Sequence, residues 1–313
     1  MDTLVSIVTP SFNQLKFLEE TLRSVELQNY RPIHQIVIDG GSNDGTVELL
    51  QRWEKQDHGP GYSFEWISER DRGHADALNK GFDRVRGEIV GWLNSDDVYF
   101  DRDVIGLSVK ALQKYTDVDV VHGECALISE SSGLQMIWCF PKFDYNRALR
   151  GYLIPQPSVF FRRRVTDKHR FDASLKIVVD HIYWLQIGRE HRFHKIHRIQ
   201  AGDRDHYGRA SRVSKTAMDK ISRDLCAAYG GPERIGMLAR LQDHLWRVAM
   251  RLQGLVYLIP LLTRKRFREN LAFPMWIDSP SKAIARQTRM RIDNRTDMGG
   301  RPSDGEAIPV GPR

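Results

Sequence analysis

The chain predicts an α/β fold: a mixed, mainly parallel sheet flanked by helices, continued by a helical extension toward the C-terminus. Three observations predict it. Through the first hundred residues, short β-branched runs alternate with helix-length amphipathic segments, the pattern of βαβ units with right-handed crossovers. The apolar run Ile89-Val90-Gly91-Trp92-Leu93 stops abruptly at Asn94-Ser95-Asp96-Asp97, as a buried strand does when it reaches a ligand edge. From about residue 216 onward the chain changes character and reads as helical and basic.

Taken in order, residues 4–9 form a β-branched strand ended by Pro10. Residues 14–28 follow as a helix with Leu18, Leu22 and Val25 at helical spacing. Ile36-Val37-Ile38 is a second strand, closing on the turn-rich run Asp39-Gly40-Gly41-Ser42-Asn43-Asp44-Gly45-Thr46. A helix over 46–56, a strand over 64–67 and a helix over 74–85 lead into the strand that ends at Asn94. Beyond it, 118–129 and 134–138 predict a β-ribbon around Glu130-Ser131-Ser132-Gly133, and a helix begins at Asp180. Leu238, Leu241, Leu245, Val248, Leu252 and Leu255 recur at three- and four-residue steps, with Arg240, Arg247 and Arg251 between them. From about 280 the chain is polar and rich in Arg, Gly and Pro, which predicts a mobile tail. No internal repeat is present.

The 313 residues are 41% hydrophobic and 28% charged, enough apolar mass for a sizeable core and unlike a disordered chain. A net charge of +7 suggests polyanionic partners: phosphorylated substrates, an acidic membrane surface or nucleic acid. Nucleic acid is the least supported, since no RNP, helix-turn-helix or finger pattern accompanies the basic residues. Three scattered cysteines with no CxxC pair argue against a disulfide framework and for a reducing, cytoplasmic setting. No signal-peptide pattern is evident and no apolar run reaches the 18 residues of a membrane span.

The chemistry concentrates at three strand ends. In a parallel sheet, Thr9-Pro10-Ser11-Phe12-Asn13, Asp39 and Asn94-Ser95-Asp96-Asp97 share one edge and can converge on one crevice. Adjacent carboxylates repel, and a hard divalent cation is the usual compensation; the alternative is an acidic turn or helix cap. Asp39 can accept hydrogen bonds from a base or a ribose beside the permissive Gly40-Gly41, or it can serve turn chemistry alone. A dinucleotide oxidoreductase would carry GxGxxG after the first strand, where this chain has Thr9-Pro10-Ser11-Phe12-Asn13.

The ordered motifs VSIVTPSFNQ, VIDGGSNDGT, DRGHADALNKG and GWLNSDD resemble inverting glycosyltransferases of family 2, with the Rossmann-like GT-A fold. The resemblance continues through QPSVFFRR at 156–163 and from Phe171-Asp172 to Asp180–Leu185, covering about residues 1–210. It implies a catalytic domain over 1–215, with a nucleotide-sugar-binding half over 1–100 and an acceptor half over 101–215. A basic amphipathic extension over 216–279 and a flexible tail over 280–313 follow. Residue by residue, the resemblance implies that Asp39 reads the base and that Pro10 and Asn13 lie close to the nucleoside. Asp71 and Asn79 border the nucleotide-sugar pocket, together with Asn94 and Ser95. Asp96 matches the metal-binding aspartate that bridges Mg2+ or Mn2+ to the diphosphate, and Asn94 stands where the family often carries Asp. Asp180 matches the catalytic base that takes the proton of an attacking hydroxyl in a single inverting displacement; a helix N-cap is its other reading.

His206 is a candidate metal ligand and Arg204 a candidate diphosphate contact, in a loop that could instead be merely solvated. Asp97 and Gln156, with Ser158 beside it, are candidate diphosphate or acceptor contacts. The implied partners are a nucleoside-diphosphate sugar and a glycan or lipid-linked acceptor, with no nucleic acid. The implied setting is cell-surface polysaccharide or glycolipid synthesis. The amphipathic segment with its basic residues suits an anionic membrane surface, hence a peripheral place on the inner face; packing on the catalytic domain or a partner subunit is the alternative. The competing functional reading is a non-catalytic nucleotide- or partner-binding module on the same fold.

Overall fold

The structure, a computed structural model, describes residues 2–263 apart from 152, 176, 210–214 and 233–234. The tail expected over 280–313, and the part of the basic extension after residue 263, therefore lie outside the described residues. Four parallel strands come first: β1 (Val5–Ser11), β2 (Ile33–Asp39), β3 (Tyr62–Ser68) and β4 (Ile89–Trp92). They lie in the order β3-β2-β1-β4, so the chain starts in the middle and winds outward. Register aligns Ser11 with Asp39 and Asp39 with Ser68, which brings three carboxyl ends level on one edge.

Past β4 the sheet becomes mixed. β5 (Val98–Tyr99), β6 (Val120–Ser129), β7 (Leu134–Trp138), β8 (Phe160–Arg162) and β9 (Phe193–Asp205) complete it. β8 runs antiparallel between β4 and β6, β9 runs parallel to β6, and β7 folds back on β6 as the expected ribbon. β5, β8 and β9 have no counterpart in the sequence expectations. β9 carries histidines and charges along its length, and irregular register against β6 at His122 and Glu124 removes the period-two signal.

Helices cover both faces, as an interior parallel sheet requires. α1 (Leu15–Glu26) and α2 (Thr46–Glu54) bury Leu18, Leu22, Leu49, Leu50 and Trp53 against Val37 on one face. On the other, α3 (His74–Phe82) packs Ala77, Leu78 and Phe82 against Val8, Ile36 and Trp92. α4 (Val104–Lys114), α5 (Tyr145–Ala148) and α6 (Arg163–Lys168) support the second half. α7 (Val179–Ile187) brings Tyr183 and Trp184 into the same core as α3.

α8 (Lys215–Ala228) and α9 (Met237–Thr263) form the extension. α9 docks on the domain by a narrow polar and small-residue face. The Arg150 guanidinium donates to both Asp243 oxygens at 2.8 and 2.9 Å. Gly254 lies so close to β7 that a Cβ there would sit 2.5 Å from the Ile137 carbonyl oxygen. The apolar stripe points the other way: Leu238 is 81% exposed, and Leu241, Leu245, Val248, Leu252 and Leu255 are exposed with it. Among the described residues no helix is long and apolar enough to cross a membrane.

Candidate active site

A cavity of about 880 Å³ opens at the carboxyl edge of the parallel strands. It lies where open α/β sheets hold ligands, and its size falls in the range of small-molecule sites. Pro10 and Phe12 after β1, Gly40 and Gly41 after β2, Asp71 to His74 before α3, and Asn94 to Asp97 after β4 line it. Gln156, Asp180, Asp203 and Arg209 complete the lining.

Asp39 is fully buried at the end of β2. Its carboxylate accepts from the Gly41 N–H at 3.1 Å, the Ser42 N–H at 2.9 Å and the Ser68 hydroxyl at 2.6 Å, with the Ser42 hydroxyl on its other oxygen. Three of these donors fall on Oδ2 and one on Oδ1, so a ligand N–H reaches Asp39 through the remaining acceptor site of Oδ1 or by replacing a serine hydroxyl. Asn13, at φ 52°, takes the left-handed region that Asn tolerates. Its N–H donates to Ser42 Oγ at 2.7 Å and its Oδ1 accepts from Asn43 N at 3.0 Å, tying the first two loops together. Asp39 and Asn13 thus brace the cavity wall, while Pro10, Gly40 and Gly41 form its surface. Asp71 lines the cavity, and a Cβ on Gly40 would stand 2.8 Å from its Oδ2, so glycine is what lets the two loops meet. Asn79 faces away from the cavity. Its amide donates to the Phe171 carbonyl and accepts from the Phe171 N–H, both at 2.9 Å, bolting α3 to the segment that leads into α7.

The Asn94–Asp97 turn is fixed from several directions. Thr21 of α1 donates to the Ser95 and Asp97 carbonyls at 2.9 and 2.7 Å. Asn94 Oδ1 accepts from the Trp92 indole at 2.8 Å, and its amide donates to Gln156 Oε1 at 2.8 Å. Gln156 in turn donates to the Trp92 carbonyl at 2.7 Å. This ring needs one residue that accepts and donates at position 94, which Asn does and an ionised Asp cannot.

Asp96 and His206 stand together, Oδ2 to Nε2 3.0 Å apart. Asp97 is buried beside them and accepts from the Arg204 N–H at 3.0 Å. Burial first, then the charges of Asp96 and Asp203, push the Asp97 carboxyl well above the usual carboxylate range. Asp203 is raised as well, by burial first, against the opposing pull of its partner Arg209 at 2.6 Å. Asp180 sits in the first turn of α7, entered through Val178 at φ 53°. A β-branched residue rarely holds that conformation, and such strain concentrates at functional sites. Asp180, Asp96 and Asp71 all pull His74 toward protonation, while burial, the larger effect, holds its imidazole below the ordinary value.

Arg204 acts from behind the cavity. Its fully buried guanidinium pairs with Glu20 of α1 at 2.6 Å and donates to the Asp96 carbonyl at 2.8 Å and Ser132 Oγ at 2.7 Å. The cations that line the cavity are Arg70, Arg72 and Arg209. His74, Asp203 and Arg209 are missing from the sequence-based candidates. His74 lies inside DRGHADALNKG and Asp203 beside Arg204, so proximity to those motifs was the available signal. The donor set fits a hard divalent cation: Asp96, Asp97 and Asp203 offer oxygen ligands whose crowding a cation would relieve.

Glycine loops level with a buried aspartate, and crowded carboxylates beside a strained helix start, define a GT-A type sugar-transfer site. The chain belongs to glycosyl transferase family 2, which it matches over residues 6–163, and it is a glycosyltransferase. It is 42% identical over 185 residues to an uncharacterized glycosyltransferase of Mycobacterium tuberculosis, covering 58% of this chain and 68% of that one. It is 38% identical over 185 residues to TuaG of Bacillus subtilis, named for teichuronic acid biosynthesis, over 59% and 71% of the two chains. In fold it resembles S. aureus TarS 1-349 in complex with UDP-GlcNAc, with TM-score 0.53 and 16% identity, over 67% of this chain and 60% of that one. It also resembles the mannosyltransferase PcManGT of Pyrobaculum calidifontis in complex with GDP-Man and Mn2+, with TM-score 0.50 and 16% identity over 94% and 88%.

Proposed function

We propose that this glycosyltransferase moves a sugar from a nucleoside-diphosphate sugar to a hydroxyl of a glycan or lipid-linked acceptor by one inverting displacement. The observation that carries the proposal is the opening of Asp96 and Asp180 into the same cavity, a space large enough for a nucleotide sugar. Asp180 takes the proton of the attacking hydroxyl, a role a carboxylate fills once held within hydrogen-bond reach. Asp96 and His206, with Asp97 or Asp203 behind them, would hold Mg2+ or Mn2+, which when bound offsets charge on the departing diphosphate. Arg209 faces the diphosphate, and Arg204 keeps the Asp96 turn in place. The nucleoside lies along Pro10, Gly40, Gly41 and Asp71, its base reaching Asp39. Asn94, Ser95 and Gln156 form the floor under the donor. The name of TuaG, a relative named for teichuronic acid biosynthesis, favours a cell-surface polysaccharide or glycolipid product. The acceptor's place at an anionic cytoplasmic membrane face rests on the exposed stripe of α9 and the arginines along it.

Transfer from UDP-, GDP- and dTDP-sugars with Mn2+ tests the reading, with a chelator as control. The expected result is turnover with one donor, lost on chelation. Asp180→Asn should lower turnover by about 10²–10⁴-fold with nucleotide affinity within about twofold. Substantial transfer by that variant removes the base assignment, and donor binding without turnover in the unaltered chain overturns the whole reading.

A further inference from the structure

At the opposite, amino-terminal edge of the sheet lies a cluster the sugar-transfer site does not use. His169 follows α6, Glu190 and His191 join α7 to β9, and one ligand atom from each lies within 4.8 Å of the others. β6 and β9 start side by side there, with Val120 opposite Phe193, whereas their far ends carry Ser129 and Asp205 near the catalytic turn. The Nε2 atoms of the two histidines are 3.1 Å apart, and His169 Nε2 is 3.6 Å from Glu190 Oε2. Ligands about 2.0–2.1 Å from a tetrahedral zinc stand about 3.4 Å from one another, so two of the three separations already suit a shared ion and the third lies within 4.8 Å.

A second feature fixes the chemistry. His191 Nδ1 donates to Asp119 Oδ2 at 2.8 Å, which leaves its Nε2 as the acceptor, turned toward His169 Nε2. Asp119 is itself held by Arg164 on its other oxygen. A carboxylate that sets the tautomer of a ligating imidazole is the usual outer support of a metal site. The competitor is Lys168, which pairs with Glu190. Both side chains are exposed, and such pairs contribute little.

We propose that His169, Glu190 and His191 form a second cation site that takes Zn2+, with water in the fourth position. Two imidazoles and a carboxylate suit zinc better than Mg2+ or Mn2+, which prefer all-oxygen sets. The ion would tie the end of α6 to the α7–β9 connection, away from the sugar-transfer chemistry.

Equilibrium dialysis of the full chain against Zn2+ tests this, in an Asp96→Asn background that weakens the carboxylate site. One zinc per chain is expected, and Co2+ in its place should give the intense visible band of a tetrahedral site. Glu190→Gln and His191→Ala, each added singly, should weaken binding at least about tenfold, the lower end of losses seen even for outer partners. Glu190 is exposed, so its variant does not depend on refolding the core; far-UV circular dichroism checks both. Undiminished zinc in the two variants overturns the proposal. A loss confined to His191→Ala overturns the three-ligand assignment. Absence of zinc in the parent chain overturns the site and leaves the sugar-transfer reading untouched.

Discussion

A buried carboxylate needs partners to stay ionised, and those of Asp97 are a main-chain N–H and an amide at 3.4 Å. Burial, Asp96 and Asp203 raise its folded pKa, while the unfolded chain titrates near the ordinary value of about 3.9. Below that value Asp97 is protonated in both states and no penalty exists. As pH rises toward the folded pKa the penalty grows, and above it the penalty is complete. Asp97→Asn keeps an acceptor for the Arg204 N–H and removes the charge. The metal-free variant should therefore melt higher than the unaltered chain at pH 8, by about 2–4 °C for each kcal/mol relieved, with the gap closing toward pH 4. Thermal melts across that range decide it, and a variant that melts lower at pH 8 refutes the assignment. At this scale the sequence was informative where a motif names a type of chemistry. The carboxylates of Asn94-Ser95-Asp96-Asp97 announced a crowded site. The run did not reveal why position 94 is Asn, because the reason is a ring through Trp92 and Gln156, 62 residues away.

β9 shows why a third of the sheet was illegible at the level of elements. Lys195 on β9 and Glu124 on β6 pair across the sheet interior, both almost fully buried. In one dimension such charges read as solvent-facing and suppress the alternation that marks a strand. α4 carries an ordinary helical stripe at Val104, Ile105, Val109 and Leu112, yet the sequence expectations name no helix there. The same strand delivers Arg204, whose guanidinium joins α1, the Asp96 carbonyl and the β6–β7 turn in one buried node. Removing one partner of a buried pair leaves an uncompensated charge and costs about 3–5 kcal/mol. Arg204→Met should therefore lower the stability to urea by roughly that amount and weaken Mn2+ binding through the loosened Asp96 turn. Arg204→Lys should recover little, since an ammonium cannot span the fork of acceptors. Lysine behaving like arginine in both measurements would show that the node holds by charge alone.

For the whole molecule, the decisive asymmetry is between a catalytic edge sealed by polar networks and a helix that turns its leucines outward. α9 spends Asp243 and Gly254 on docking, so its hydrophobic stripe is left on the surface. A contiguous exposed apolar patch on a folded domain marks an interaction site. Arg240 and Arg251 lie along the same helix, and the chain carries +7 overall, so an anionic surface is the fitting partner. The full chain should sediment with vesicles containing anionic phospholipid and remain in solution with zwitterionic ones. Added salt should weaken the binding, because about 10 Å of screening length at 0.1 M already cuts surface attraction. Leu241→Glu with Leu245→Glu places two charges in the apolar stripe and should abolish sedimentation. Both positions lie on the exposed face of α9, so transfer to a soluble acceptor should continue at the unaltered rate. Equal recovery with both lipid types would leave charge without a role. If the paired glutamates instead convert a dimer to a monomer with vesicle binding intact, the stripe is a subunit contact and the membrane assignment fails.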